Sequence, residues 1–213
     1  MEKLNLILFI SIAVPLIMML FVCKGKIRRF ILFFLVGMTV CVFCGECAGV
    51  IRSCSGLSED DMVLYITPVF EELSKTIPIV FFALVIRPKK QVLLECALAV
   101  GAGFAVQENS YILAVFASSA SVSLAVIRGF GTGVLHIACA LGAGYGMSFF
   151  HTRRKLTVPC TAAILTMSAV YHSIYNLLSL AYGPAAAVIA VPAFLGIVVS
   201  IKKLDQAVVT ETD

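Results

Sequence analysis

Two adjacent carboxylates and a lysine lie in the middle of an apolar stretch of this 213-residue chain. Glu71, Glu72 and Lys75 interrupt a hydrophobic run from Met62 to Ile86, which is long enough to cross a bilayer. A charged group at the centre of a membrane span costs about 2.5–3.5 kcal/mol, so such groups usually have a function and a partner. In proteins these groups relay protons, hold metal ions or activate water, and each use requires partners from other spans.

Three further apolar segments carry polar groups at a matching depth. Glu108, His136 and His172 lie nine to twelve residues from the predicted outer ends of their spans, as Glu71 does. At a rise of about 1.5 Å per residue, all four lie about 13–18 Å below the outer boundary. The sequence therefore predicts that acid and imidazole groups from four spans meet at one level, between the midplane and the outer leaflet.

The elements that must position these groups are membrane-spanning helices. The chain is 61% hydrophobic and only 13% charged, whereas a soluble domain is about 25% charged. This composition predicts an all-α, polytopic membrane helix bundle that forms one transmembrane domain over residues 1–213. It leaves no room for a soluble domain, and no nucleic-acid partner is expected. Length and punctuation predict seven spans, at about 4–23, 30–51, 62–86, 92–118, 124–150, 156–181 and 185–201.

The connections between the predicted spans alternate in character, with basic residues concentrated in the first, third and fifth. Twelve of the sixteen lie in the loops and the tail that seven spans place on one side. The positive-inside rule then predicts an outer N-terminus and a cytoplasmic C-terminus. His151, which lies beside one of these basic loops, is expected at the cytoplasmic boundary and not in a site. The first span lacks a cleavage site and is expected to be retained.

Eight cysteines are present, and most of them lie in apolar runs. Cys41, Cys44 and Cys47 recur at helical spacing without the second ligand pair of a structural zinc site, which favours buried thiols. Cys47 and Cys54 lie where a disulfide is possible in an external loop, and the sequence leaves that open.

Three uses of the polar cluster compete. Interhelical hydrogen bonds contribute only about 0.6 kcal/mol each on average, too little to offset the insertion of so many ionisable groups. A proton or ion relay in a transporter is the second use. The third is hydrolysis, because two histidines and a glutamate with an open position form a catalytic zinc site, and a spare carboxylate is available to deprotonate water. A seven-helix receptor has no need of this combination at one depth.

Four short motifs carry these residues in order, each in its own span. They are Glu71-Glu72-x-x-Lys75, Phe104-x-x-x-Glu108-Asn109, Arg128-x7-His136-x7-Gly144 and His172-x-x-Tyr175-Asn176. With them the chain resembles the PrsW family of intramembrane proteases, within the CAAX-processing and bacteriocin-processing superfamily. The resemblance covers about residues 62–180, and it predicts a catalytic core formed by the third to sixth helices.

The resemblance implies an intramembrane endopeptidase of a bacterial plasma membrane, acting in signalling. Its expected substrate is a membrane-anchored protein, such as a single-span anti-sigma factor, cut on the extracytoplasmic side. Zinc is the expected cofactor. A related branch works as a metal-independent glutamate-type hydrolase, and this chain has Glu108 where that branch has a histidine, so both mechanisms remain open. The implied roles are catalytic for Glu71, Glu72 and Asn176, metal binding for Glu108, His136 and His172, and structural ion pairing for Lys75 and Arg128.

Overall fold

The computed structural model describes residues 2–150 and 153–183, with isolated positions at 185, 188–189, 191–192, 195–196 and 199. The regular structure of these residues is helical. The helices are α1 (Glu2–Val22), α2 (Gly25–Ser55), α3 (59–86), α4 (Lys90–Val115), α5 (Val122–Ser148) and α6 (Arg154–Tyr182). Helix α3 is continuous but changes its hydrogen-bond pattern, with α-helical Glu59–Asp61 and Thr67–Phe81 and π-helical Met62–Ile66 and Phe82–Ile86.

Four of these helices are long and apolar enough to cross a membrane by length and composition: α1 from Lys3, α2, α4 and α5. All six match the first six segments predicted from hydropathy to within a few residues at most ends. The described part of the chain contains six long helices, so the predicted count of seven is not supported. The seventh predicted segment, 185–201, lies mostly outside the described residues, as does His151. The orientation of the termini stays a prediction.

Helix ends follow local capping chemistry. Gly56 ends α2 in the left-handed conformation, at φ 69°, and its N–H donates to the Arg52 carbonyl at 3.1 Å. Ser58 and Ser121 cap α3 and α5, where each hydroxyl accepts a backbone N–H three residues further on at 3.1 Å. These helices, which carry part of the predicted site, therefore begin at residues whose types select those starts.

Helix α4 lies at the centre of the bundle and is packed closely on both sides. A Cβ at Gly103 would overlap the Phe34 carbonyl oxygen of α2, and one at Gly101 would lie 2.7 Å from the His136 carbonyl oxygen of α5. Only glycine permits these backbone contacts. They bring α2 and α5 against α4 near the level of Glu108, so the two glycines help to set the width of the site.

The cysteines are consistent with the buried-thiol interpretation. All eight lie in the described part of the chain as free thiols; Cys41 and Cys44 are buried, whereas Cys47 is half-buried. Cys47 and Cys54 form no disulfide in the structure.

Candidate active site

Helix α3 enters the site through a wide turn. The N–H of Thr67 donates to the Met62 carbonyl, five residues back, which is the π-helical pattern. Pro68 follows at the start of the α-helical part and has no N–H to continue that pattern. The next turn carries Glu71 and Glu72, both buried, toward α5 and α6.

Lys75 is buried to 1% exposure and contacts three groups. Its Nζ donates to Glu72 Oε1 at 2.7 Å and to His136 Nδ1 at 2.8 Å, and it lies 4.4 Å from the centre of the Phe104 ring. An ammonium group has donors only, so His136 Nδ1 accepts and His136 Nε2 carries the ring proton. Lys75 therefore fixes the tautomer of His136.

Glu108 lies on the other side of His136. One of its carboxylate oxygens accepts the short hydrogen bond from His136 Nε2, and the other faces Arg128 Nη2 at 3.3 Å. Arg128 Nε donates to Asn109 Oδ1 at 3.0 Å. This chain of contacts joins α4 to α5 and gives Glu108 a hydrogen-bond donor on each side.

His172 and Glu71 face each other with unused acceptors. His172 Nδ1 donates to Glu72 Oε1 at 2.9 Å, so in the neutral imidazole its Nε2 carries a lone pair. This atom lies 3.9 Å from Glu71 Oε2. Glu71 Oε2 is buried and has no hydrogen-bond partner among the described residues. Two acceptors at this separation are satisfied by a group between them that donates to both or binds both, namely a water molecule or a cation.

The four side chains predicted to share a depth therefore meet in one place. Glu71, His136 and His172 each offer a ligand atom, and these atoms lie within 4.8 Å of one another. Two histidines and one glutamate are a donor set of catalytic zinc sites, so the residues fit such an ion in type. Glu71 takes the position in this set that was predicted for Glu108, whose metal role remains a prediction. In the structure, Glu71 and His172 each have an atom free to bind a metal. Both ring nitrogens of His136 are engaged, Nδ1 by Lys75 and Nε2 by Glu108.

A cavity of about 490 Å³ reaches this cluster. Glu71, Glu108 and His172 line it, but Glu72, Lys75 and His136 do not. The other walls come from α1 to α6 and include Asn5, Cys41, Cys44, Val63, Thr67, Tyr111, Phe116, Arg128, Thr132, Asn176 and Leu180. Glu59, Phe116 and Leu180 also line it, are exposed, and lie at the helix ends opposite the basic loops, so we define this end of the cavity as its mouth.

Asn176 lies at the cavity wall one helical turn after His172. Its Nδ2 donates to the Val63 carbonyl oxygen at 3.0 Å, within the π-helical turn of α3. One of its two amide hydrogens is therefore committed to the backbone. The neighbouring Tyr175 is buried, and its hydroxyl bonds Thr132 Oγ1 at 3.1 Å, which ties α6 to α5 beside the site.

Sequence reasoning missed the contact that attaches α1 to the site. Gln107, next to Glu108 in the chain, is fully buried, and its Nε2 donates to Asn5 Oδ1 at 2.7 Å and to the Asn5 carbonyl at 3.1 Å. Both residues are polar groups inside apolar spans. That signal could have singled them out, but it would not have identified them as partners, because they are 102 positions apart in the chain.

Acidic and imidazole side chains around a cavity, inside a bundle of apolar helices, are the arrangement expected of a membrane-embedded hydrolase. A model of the PrsW family of intramembrane metalloproteases matches residues 26–201, and the chain belongs to this family. No curated protein and no solved structure matches the chain. The protein is thus an intramembrane protease that acts on membrane substrates. The transporter interpretation has no support from the fold or from the family.

Proposed function

We propose that the protein is an endopeptidase that places a water molecule between Glu71 and His172 and uses it to cut a peptide bond of a membrane-anchored substrate. The observation that carries the proposal is the buried, unpartnered Glu71 Oε2, which among the described residues faces His172 Nε2 at 3.9 Å beside the cavity. A water molecule there donates one hydrogen bond to each acceptor and presents its oxygen to the cavity.

The two adjacent glutamates take different roles in this proposal. Glu71 lines the cavity and has a free oxygen, so it accepts the proton from water. Glu72 is 2% exposed and is bonded to Lys75 and to His172 Nδ1, so it orients His172. A carboxylate behind a histidine fixes its tautomer and ring plane, as in many hydrolytic sites.

The family description and the donor set support zinc as the cofactor. The residues that would hold it are Glu71, His136 and His172, and it would supply Lewis-acid activation of water. His136 would be available through Nε2 only if that atom gave up its proton as well as its partner Glu108, with the ring proton moved to Nδ1. Glu108 lines the cavity, so with a metal bound its released carboxylate would be placed to accept a proton from water. Without metal, Glu71 has that task.

Asn176 is proposed to donate its second amide hydrogen to the oxygen that becomes negative when water attacks. It lines the cavity beside His172, and its first hydrogen is held by Val63. Removal of one such donor costs about 10²–10³ in kcat in a well-studied hydrolase.

The cut is proposed to lie in the extracytoplasmic half of the membrane. The cavity mouth, marked by Glu59, Phe116 and Leu180, lies at the end opposite the basic loops, which the positive-inside rule assigns to the cytoplasm. We propose a catalytic core over about residues 62–180 and a location in a bacterial plasma membrane. The proposed substrate is a single-span protein of the anti-sigma-factor kind.

The test compares wild-type protein with Glu71→Gln in cells, with membrane-protein fragments identified by their new N-termini. We expect wild-type expression to produce fragments cut within or near a span, and Glu71→Gln to reduce them by at least about 10²-fold, the usual contribution of a general base. Glu46→Gln is the matched control, since Glu46 is exposed and distant in sequence from the four motifs. Equal fragment yields from properly inserted wild-type and Glu71→Gln protein would overturn the proposal.

A further inference from the structure

We propose that Pro68 is a positioning residue of the hydrolytic site, which acts by leaving the Val63 carbonyl free to hold Asn176. The inference rests on the proposed function only for its effect on catalysis. The hydrogen bond itself, and the dependence of Asn176 on residue 68, concern this chain whatever reaction it performs.

The first step is the hydrogen-bond pattern of the wide turn. Thr67 donates its N–H to the carbonyl of Met62, five residues back. Continued by one residue, this pattern would direct the N–H of residue 68 to the Val63 carbonyl. Proline has no N–H, so the Val63 carbonyl has no partner from that position of its own helix.

The second step is the group that replaces the missing donor. Asn176 Nδ2 lies 3.0 Å from the Val63 carbonyl oxygen and donates to it across 113 residues of sequence. A partly buried carbonyl without a donor would cost about 1–3 kcal/mol, so this bond offsets a real deficit. Pro68 and Asn176 are therefore linked through one carbonyl, although they belong to different helices.

The third step is where this bond places the amide. Val63, Thr67, Glu71, His172 and Asn176 all line the same cavity. The bond fixes the Asn176 side chain against the start of α3, one turn from His172 and facing the space that Glu71 borders. A free Asn side chain would select among several rotamers, and the Val63 carbonyl removes that choice.

The consequence is that Pro68→Ala has opposite effects on stability and on activity. Alanine restores an N–H that the π-helical pattern directs to the Val63 carbonyl, and it has a high helix propensity, so the helix gains stability. The same N–H competes with Asn176 for its anchor and releases the amide. If Pro68 had only a structural role, its substitution would lower activity only by lowering the stability of the protein.

The experiment is a double-mutant cycle of Pro68→Ala and Asn176→Ala on the full chain in detergent, read by thermal unfolding. In the wild-type background, Asn176→Ala should lower the unfolding temperature by about 2–4 °C, as expected for the loss of a single hydrogen bond. In the Pro68→Ala background the same change should have no measurable effect, since the alanine introduced at this position now supplies the donor. Equal shifts in both backgrounds would overturn the inference, and this readout needs no substrate.

The catalytic arm uses the same variants with a substrate found as described above. Pro68→Ala should lower kcat by at least about tenfold with little change in KM, because a misplaced positioning group affects the transition state more than binding. The double variant should be no slower than Asn176→Ala alone. Pro78→Ala is the matched control, because Pro78 lies inside the same helix beyond Lys75. We expect this variant to gain stability and to keep its activity.

Wild-type rates for Pro68→Ala would overturn the catalytic part of the inference. No cleavage by any variant, wild type included, would count against the proposed function, and the thermal cycle would still decide whether Pro68 and Asn176 share the Val63 carbonyl.

Discussion

Lys75 carries the only ammonium group near the centre of the cluster, among the described residues, and its charge is balanced at short range. Glu72 accepts from it at 2.7 Å, and both side chains are almost fully buried. Removal of one member of a buried ion pair leaves the other charged and without a partner, which costs about 3–5 kcal/mol. The pair is thus a condition for the fold of the site as well as for its chemistry.

We therefore predict that Lys75→Met lowers the unfolding temperature strongly, because it leaves the Glu72 carboxylate and the His136 Nδ1 acceptor without their donor. Thermal unfolding in detergent measures the effect. The control is Lys26→Met, since Lys26 is 75% exposed and pairs with Glu95 at 3.6 Å, a kind of contact worth about 0–1 kcal/mol. Equal losses in the two variants would contradict the role given to the buried pair.

Metal content distinguishes the ligand set of the structure, which contains Glu71, from the set predicted from the sequence, which contains Glu108. With Glu71, His136 and His172 as ligands, purified wild-type protein should contain one zinc ion per chain by elemental analysis, and Glu71→Gln or His172→Ala should abolish it. Glu108→Gln should retain zinc. Loss with Glu108→Gln and retention with Glu71→Gln would instead favour the set predicted from the sequence, and a wild-type protein that takes up no zinc would favour the metal-independent mechanism. Glu46→Gln is the control.

At the residue scale, spacing along the chain predicted part of the site. Helical spacing allowed Lys75 to pair with either Glu71 or Glu72, and depth arithmetic placed Glu108, His136 and His172 at the same level. Spacing did not reveal that His136 would be the second partner of Lys75. That contact depends on the rotation of α5 about its axis, which the packing of its small residues on α4 sets and which a hydropathy pattern leaves undetermined.

Helices α2 and α4 approach so closely that the structure permits no side chain at their crossing. At Gly103, a Cβ would overlap the Phe34 carbonyl oxygen, and backbone has no rotamer with which to move aside. We predict that Gly103→Ala separates the two helices and destabilises the protein by about 1–3 kcal/mol, as overpacking does elsewhere. Thermal unfolding checks this result.

Gly129→Ala is the control for that prediction. Gly129 and Gly133 have the small-xxx-small spacing that favours close helix contacts, but among the described residues no atom beyond its own helical turn lies within 4 Å of a Cβ at Gly129. Alanine there should be neutral or slightly stabilising, because it favours the helix. Destabilisation at Gly129 equal to that at Gly103 would mean that the close approach of α2 and α4 is not the cause.

Helix boundaries could be predicted because they are largely determined by the length of each apolar segment and by the polar, Gly and Pro residues at its ends. The π-helical turn Met62–Ile66 could not. It is associated with the missing N–H of Pro68 and with a donor, Asn176, that belongs to a helix more than 100 residues further along the chain. Similarly, the contact between Asn5 of α1 and Gln107 was not predicted, because only the assembled bundle brings these two residues together.

At the scale of the whole molecule, the basic loops and the cavity mouth lie at opposite ends of the helix bundle. The loops after α1, α3 and α5 are basic, whereas the cavity mouth lies at the other end, next to the acidic start of α3 at Glu59, Asp60 and Asp61. A substrate cut from the extracytoplasmic side reaches Glu71 from that end without passing the basic loops. The proposed side of cleavage therefore depends on one topological fact, the side of the membrane on which the loop after α2 lies.

Two native cysteines make that fact measurable. Cys54 is exposed near the end of α2, and Cys23 follows α1 beside the basic loop. In variants that keep one of these cysteines and replace the other seven by alanine, a membrane-impermeant maleimide should label Cys54 in intact cells and label Cys23 only after the membrane is permeabilised. The labelled band on a gel is the readout, with full labelling of both variants in detergent as the control for thiol reactivity. Labelling of Cys23 but not Cys54 in intact cells would invert the topology, and the cavity would then open toward the cytoplasm, against the proposed side of the cut.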